Sequence, residues 1–333
     1  MPSRRSGKLS PSVAAGLPLG RKLEEAARLF GQYRSSGGGG SANDFAAAFD
    51  EIDEYAALLC EHTGLGLHEA KVFEVGFGAR PYRQIILQSM GVDVSGVDAE
   101  HPLLRLRPSA VAEMLRRNGI ERTVKSLMRH LLFDRADARA LDRGLQARGL
   151  ERRLQLSRLT VADVGELTLP DRSLDLVFSE DVLEHIRPRT LESVLERVAR
   201  WLRPNGLALL RPNIFTGIVG GHLLEWSRAS MRVNPAPQRR SEPWEHLRRR
   251  RFEANTYLNE LTRADYRRLL ARHFEILEER VAQPGLGREH YGERARAALS
   301  AWSEDELFSN QTLFVLRPRH LGPAGRRLGE SAS

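Results

Sequence analysis

From residue 71 onward, short apolar runs alternate with longer stretches in which apolar residues recur every three or four positions. A short apolar run bounded by glycine or polar residues is typical of a buried strand, and the longer spacing is typical of an amphipathic helix. Strands that alternate with helices favour a parallel sheet covered by helices on both faces. The pattern predicts seven strands, at Val72–Val75, Val92–Val97, Leu159–Ala162, Leu174–Phe178, Leu207–Leu210, Phe274–Val281 and Gln311–Leu316.

Two insertions interrupt this alternation. Residues 101–152 carry helical spacing throughout and predict one long helical stretch, whereas residues 214–260 are irregular. After the second insertion, Thr262 followed by Asp265 forms a capping box, which marks the start of a helix. The predicted helices outside the insertions are 45–56, Pro81–Met90, 191–202 and Arg263–Arg272.

The composition of the two ends sets the expected domain boundaries. Residues 1–42 combine a basic segment, one short stretch of helical spacing and a Ser/Gly run at 35–41, which is typical of a flexible linker. We therefore predict a disordered N-terminal segment over 1–42 with a short helix, one α/β domain over 43–318, and a disordered tail over 319–333.

The charge and the single cysteine narrow the function classes. The net charge is +8, but only four of the 51 basic residues are lysine, which is a bias of composition more than a sign of a polyanion-binding surface. Cys60 stands alone, so no internal disulfide or cysteine-rich metal site is predicted. No uninterrupted apolar run reaches the length of a membrane span. These features favour a cytoplasmic protein without a membrane span or a metal site, and make nucleic acid an improbable partner.

The residues at three successive strand ends suit a nucleoside ligand. Gly76 and Gly78 follow the first strand, where the chain must turn tightly and let a ligand approach its backbone. Asp98 ends the second strand, 22 residues after Gly76, and a carboxylate there can accept both hydroxyl groups of a ribose. Asp163 follows the third strand, where a carboxylate can accept from an exocyclic adenine amine. Ligands of an open parallel sheet bind beyond these carboxyl ends.

The segment Asp163 to Ile186 resembles a known protein family. It resembles class I S-adenosylmethionine-dependent methyltransferases of the type 11 group in its Leu-Pro turn, its Leu-Asp-Leu-Val strand and its Val-Leu-Glu-His sequence. Leu202-Arg203-Pro204-Asn205-Gly206 is similar to the entry into the fifth strand of that group. The resemblance implies a Rossmann-like, seven-stranded, mostly parallel sheet with an antiparallel last strand.

The resemblance also implies the cofactor, S-adenosyl-L-methionine, and the residues that would hold it. Glu74, Gly76 and Gly78 would lie around its methionine end, Asp98 at the ribose and Asp163 by the adenine, and Ser179, directly after the fourth strand, is counted with them. The group often has a third glycine two positions after Gly78, where this chain has Arg80. Pro81 replaces the glycine that a dinucleotide fingerprint requires, which argues against a nicotinamide cofactor.

The acceptor side is less defined. His222 and His246 lie in the second insertion, and Asp181 follows the fourth strand. A hydroxyl acceptor needs a proton acceptor within hydrogen-bond reach, so these three residues are the catalytic candidates. Trp226, Trp244 and Tyr257 lie near the two histidines in the chain and could stack on a ring of the acceptor. In the same insertion Asn213 and Asn259 could orient hydroxyl groups, and Arg248–Arg251 could hold a phosphate.

We therefore predict O-methylation of a small molecule, sugar or glycolipid. Two alternatives stay open. One is an RNA- or protein-modifying methyltransferase that uses its Arg-rich surface, and the other is a cofactor-binding scaffold without turnover. The oligomeric state is not predicted.

Overall fold

The computed structural model describes residues 45–102, 108–130, 134–231, 239, 241–249 and 256–319. The predicted N-terminal segment 1–42 and residues 320–333 of the predicted tail lie outside the described residues. Within the described part of the chain, no helix has both the length and the apolar character needed to cross a bilayer.

The centre of the molecule is a seven-stranded sheet, as the sequence predicts. Its strands are β1 (Lys71–Val75), β2 (Asp93–Asp98), β3 (Leu159–Val161), β4 (Leu174–Glu180), β5 (Leu202–Arg211), β6 (Phe274–Val281) and β7 (Thr312–Pro318). They are ordered β3-β2-β1-β4-β5-β7-β6, and β7 runs antiparallel to both of its neighbours, whereas the other neighbouring strands are parallel. The order switches direction between β1 and β4, the position at which such sheets bind their ligands.

Both faces of the sheet are buried, which explains why its central strands are continuous apolar runs and not alternating ones. All seven residues of β4 are buried, and so are four of the five in β1. The helices that flank the sheet and follow it are α1 (Phe45–Thr63), α2 (Tyr82–Ser89), α3 (Pro108–Arg129), α4 (Arg135–Ala147), α5 (Pro188–Trp201), α6 (Arg228–Met231), α7 (Glu245–Arg248), α8 (Arg263–Leu270), α9 (Glu293–Ala298) and α10 (Glu304–Leu307). One face packs against α1, α2 and α4, and the other packs against α5 and α8.

Local signals explain several helix boundaries. The α8 helix starts with the predicted capping box, in which the Thr262 side chain accepts from the Asp265 amide and the Asp265 carboxylate accepts from the Thr262 amide. The first insertion is helical, as predicted, and its helices are α3 and α4. Gly119, with φ of 77°, breaks the helical geometry within α3.

The second insertion packs around its own small core. Trp226 and Trp244 are 3% and 0% exposed and contact Leu299, Leu307 and Phe308, which come from the segment between β6 and β7. The expectation that these two tryptophans stack on an acceptor ring is therefore wrong. The helices α9 and α10 have only six and four residues, which is too short for an apolar spacing to indicate them in the sequence. The core that they form with the tryptophans is therefore not predictable from the sequence.

Candidate active site

The turn after β1 is the tightest feature at the carboxyl edge of the sheet. Gly76 and Gly78 both have left-handed backbones, with φ of 87° and 71°. The Gly76 amide donates to the Val97 carbonyl of β2 at 2.7 Å. A Cβ built on Gly76 would lie 2.1 Å from Cγ2 of Val182, in the loop after β4, whereas one on Gly78 would meet nothing closer than 3.9 Å. The turn is therefore closed toward β4 at Gly76 and open at Gly78, where a ligand can approach the backbone.

Asp98 faces this turn from the end of β2. One of its carboxylate oxygens accepts from the Gly78 amide at 2.7 Å, and the other accepts from the Glu100 amide at 2.7 Å. The side chain is half-buried. A carboxylate oxygen has two lone pairs, so one that accepts from a backbone amide can accept from a ribose hydroxyl group as well. The fit to a nucleoside is thus good at this position.

Glu74 lies beneath the turn and is 1% exposed. Its Oε2 accepts from Gln84 Nε2 at 2.9 Å. Burial raises the pKa of this carboxyl from its ordinary value of 4.5 to about 7, against the opposing effects of Arg83 and of the Gln84 hydrogen bond. Glu74 is therefore an acid directly below the glycine turn, and its charge changes near neutral pH.

Asp163 and Ser179 complete the predicted cofactor residues at the same edge. Asp163 is exposed two residues after β3, where its Oδ1 accepts from the Gly165 amide at 2.7 Å. Ser179 is buried at the end of β4, and its hydroxyl donates to the Val75 carbonyl at 2.9 Å. Asp163 is open to a ligand, whereas Ser179 ties β4 to the glycine turn.

Arg80 stands where related chains often have a third glycine, and it connects the turn to the first insertion. Its guanidinium forms ion pairs with Asp134 and Asp137, the latter at 2.6 Å, and Asp137 is also contacted by the Tyr82 hydroxyl. Since Asp137 lies in α4, the insertion is anchored directly beside the cofactor turn.

A second group of polar residues lies beyond β4 and β5. Asp181, with a left-handed φ of 54°, accepts from Asn213 at 2.8 Å, Arg228 at 2.8 Å and Gln311 at 2.5 Å. These donors come from the ends of β5 and β7 and from α6. Asp181 thus holds together segments that are distant in the chain, and three donors already surround the carboxylate of this catalytic candidate.

Next to Asp181 lies a cluster that we call the His/Glu cluster, composed of Glu184, His185 and His222. Oε1 of Glu184 is 4.0 Å from Nε2 of His185 and 3.9 Å from Nε2 of His222. The two imidazole rings meet edge to face with centroids 5.0 Å apart. The cluster brings a residue of the second insertion to the Val-Leu-Glu-His segment. Glu184 was missed as a site residue although it lies in the motif itself.

Burial shifts the ionisation of this cluster toward its neutral forms. Burial, followed by the charge of Asp181, raises the pKa of Glu184 to about 8. Burial, followed by the neighbouring His185, lowers the pKa of His222 to about 4. His222 is therefore a neutral imidazole at pH 7, although it is a weaker base than an ordinary histidine.

His246 occupies a different environment from His222. It is 3% exposed, its Nε2 donates to the Phe215 carbonyl at 2.8 Å, and its ring packs on Gly221. Burial lowers its pKa to about 4. Because the Gly221 backbone rests on this ring and precedes His222 directly, His246 supports the loop that carries His222.

The remaining polar candidates are engaged within the protein. Asn213 donates to both Asp181 and Glu184, and Asn259 donates to the Leu183 carbonyl at 2.8 Å. In the basic run, Arg248 pairs with Glu242 and Arg249 with Glu245, while Arg250 and Arg251 lie outside the described residues. Asn213 therefore orients two acidic side chains of the site, and Asn259 holds the backbone beside Glu184.

The comparison with known families agrees with this geometry. Residues 73–210 match the family described as "Methyltransferase domain". The matched segment runs from β1 to β5 and includes the glycine turn, Asp98 and the Val-Leu-Glu-His segment. Residues 73–210 therefore form a methyltransferase domain, and S-adenosylmethionine is its cofactor.

Solved structures with a similar chain course share little sequence with this protein. The PH0226 protein of Pyrococcus horikoshii OT3 is 15% identical, with 86% of this chain and 98% of that chain covered and a TM-score of 0.42. A TehB-like S-adenosylmethionine-dependent methyltransferase of Corynebacterium glutamicum is 13% identical, with 90% and 99% covered and a TM-score of 0.38. The CcbJ methyltransferase of Streptomyces caelestis is 12% identical, with 80% and 88% covered and a TM-score of 0.40. No curated protein sequence matches significantly.

Proposed function

We propose that this enzyme transfers the methyl group of S-adenosylmethionine to a hydroxyl oxygen of a small-molecule, sugar or glycolipid acceptor. The cofactor lies across the carboxyl edge of β1, β2 and β3. Gly76 and Gly78 admit its methionine end above Glu74, Asp98 accepts from the ribose, and Asp163 accepts from the adenine amine. Ser179 supports this arrangement from β4.

The observation that carries the proposal is the neutral imidazole of His222 in the His/Glu cluster. Val182 packs against the Gly76 turn and lies two residues before Glu184. The cluster is therefore next in the chain to a residue that borders the cofactor site. The left-handed backbone of His222, with φ of 51°, is held by the close packing of Gly220 and Gly221. Strained backbone of this kind is common at functional positions.

In the proposed reaction the acceptor hydroxyl gives its proton to His222. When bound, S-adenosylmethionine would supply its methyl group to the acceptor oxygen, and the electron pair of the broken carbon–sulfur bond would stay on the sulfur of the product S-adenosylhomocysteine. The reaction needs the oxygen, carbon and sulfur in line, with the attacking oxygen about 3–3.5 Å from the methyl group.

The acceptor can be identified by mass spectrometry. The protein is incubated with a cell extract and S-adenosylmethionine that carries a deuterated methyl group. We expect a labelled methyl ether that appears only with the protein. Label on a nitrogen or carbon atom, or label confined to RNA or protein, would contradict the proposed acceptor class.

His222→Ala tests the base on that acceptor. We expect turnover to fall by about 10²–10⁴, the usual contribution of a general base, with cofactor affinity near that of the wild type. His246→Gln is the matched control, because a glutamine amide can still donate to the Phe215 carbonyl, and we expect it to keep turnover. Full turnover by His222→Ala would exclude His222 as the base.

A further inference from the structure

The His/Glu cluster has the geometry of a metal-binding site. One ligand atom from each of Glu184, His185 and His222 lies within 4.8 Å of the other two. Ligands that share an ion at about 2.1 Å lie about 3–4.2 Å apart. The two measured separations from Glu184, 3.9 and 4.0 Å, fall in that range, and the third pair needs a contraction of less than about 1 Å.

Two atoms of the cluster lack the hydrogen bonds that buried polar groups normally make. Glu184 is 3% exposed, and its Oε2 has no hydrogen-bond partner among the residues that the structure describes. Within the same described ranges, Nε2 of His222 has none either. A buried polar atom without a partner is costly and requires an explanation. An ion that is bound by both oxygens of the Glu184 carboxylate and by Nε2 of His222 would provide it.

The surrounding residues orient the cluster as the outer shell of a metal site does. Nδ1 of His185 lies 2.9 Å from the Tyr257 carbonyl, which can only accept, so Nδ1 carries the proton and the Nε2 lone pair faces Glu184. Oε1 of Glu184 is fixed by the amide of Asn213 at 2.8 Å. Metal-ligating histidines usually donate their second nitrogen to a carbonyl or carboxylate in this way.

We propose that Glu184, His185 and His222 bind one divalent transition-metal ion such as Mn²⁺ or Zn²⁺. Two imidazoles and one carboxylate suit first-row transition metals, whereas Mg²⁺ and Ca²⁺ prefer oxygen ligands alone. Three protein ligands leave positions open for an exogenous oxygen. The sequence does not indicate this site, because His222 lies 37 residues after His185 and the two histidines form no short metal-binding motif. The lone cysteine also gives no sign of a metal site.

The role of the ion rests on the proposed function, although its binding does not. An acceptor hydroxyl bound at an open position would be held beside the methyl group and would lose its proton more easily to water. With the ion bound, His222 is a ligand and water takes the proton, whereas in the metal-free protein His222 takes the proton as proposed above. Both roles use the same Nε2 lone pair, so only one of them can operate at a time.

Calorimetric titration of MnCl₂ into the full-length protein, first treated with a chelator, tests the site. We expect one ion per chain in the wild type and a loss of affinity of at least about 10-fold in both Glu184→Gln and His222→Ala. Nitrogen couplings in the electron spin echo spectrum of bound Mn²⁺ should reveal imidazole ligands and weaken in His222→Ala. Circular dichroism and S-adenosylmethionine affinity verify that each variant is folded.

The matched control is His62→Ala, since Glu61, His62 and Glu278 form the other group with ligand spacing in the described part of the chain. We expect Mn²⁺ binding to survive this change. Binding that disappears in His62→Ala, binding unchanged in both cluster variants, or a wild type that binds no ion would overturn the inference. A wild type that does not bind S-adenosylmethionine would instead overturn the proposed function. The failure of the metal site and the failure of the proposed function are therefore distinguishable.

Discussion

The two halves of the site are built in different ways. On the cofactor side, the glycine turn and Asp98 are fixed by backbone amides that lie about 20 residues apart or less. On the acceptor side, Asp181 and the His/Glu cluster depend on side chains from the ends of β5 and β7 and from the second insertion. The contact between the glycine turn and Asp98 thus needs only the pairing of β1 and β2, whereas the acceptor side needs segments from across the chain.

The halves also differ in their exposure to water. Asp98 is half-buried and Asp163 is exposed, so a ligand can reach both carboxyl groups. Glu184 is almost completely buried, and His222 is mostly buried with its pKa lowered. The cofactor side therefore offers accessible carboxyl groups, whereas the His/Glu cluster offers groups whose burial favours their neutral forms. Strongly shifted pKa values of this kind are common at functional sites.

Gly76→Ala should have the largest effect on the cofactor half. A Cβ at this position would require a 2.1 Å approach to Val182 and a left-handed alanine. We expect the free energy of unfolding to fall by about 2–5 kcal/mol, measured by denaturation with urea.

Gly78→Ala is the matched control, since it has a similar backbone but open space around the added Cβ. It should cost only about 1–2 kcal/mol. Val182→Ala should recover part of the loss in the Gly76→Ala background. Equal losses at Gly76 and Gly78 would show that the contact with the β4 loop does not constrain the turn.

Glu74→Gln should produce a pH-dependent effect of intermediate size. The folded protein holds this proton more tightly than the unfolded chain does, so stability is lost as pH rises from 4.5 through about 7. The difference between these two values corresponds to about 3 kcal/mol. Relative to the wild type, the glutamine variant should therefore gain up to about 3 kcal/mol between pH 4.5 and pH 8.

Urea denaturation at several pH values measures this gain. Glu166→Gln, which removes an exposed carboxylate, is the control for the loss of one acidic residue. A stability difference between wild type and Glu74→Gln that stays constant over the range would contradict a carboxyl held protonated beneath the turn.

Arg80→Ala should have the smallest effect. It tests whether the first insertion is stabilised by its contact with the cofactor half. It removes the ion pairs to Asp134 and Asp137, and Asp137 is buried. We expect a loss of about 1.5–3 kcal/mol in the local stability of α4, seen as faster hydrogen exchange over Arg135–Ala147. Exchange that is unchanged in α4 would show that the first insertion is held by its apolar contacts alone.

The fold and the cofactor half could be predicted from the sequence because their determinants are local. The apolar runs of β1 and β4, the glycine pair and the spacing to Asp98 are all short-range patterns, and the structure contains each of them. The tryptophans of the second insertion show the limit, since their buried positions depend on α9 and α10. The His/Glu cluster shows it too, because nothing in the chain indicates that His222 packs against His185.

The most direct test of the division into halves is the affinity of three proteins for S-adenosylmethionine, measured by calorimetric titration. Asp98→Ala removes hydrogen bonds to the ribose, so we expect a loss of about 1.5–3 kcal/mol, or roughly 10- to 150-fold. The affinity of His222→Ala for S-adenosylmethionine should lie within about twofold of the wild type, because His222 lies on the acceptor side. Unchanged affinity in Asp98→Ala, or an equal loss in both variants, would contradict the division into a cofactor half and an acceptor half.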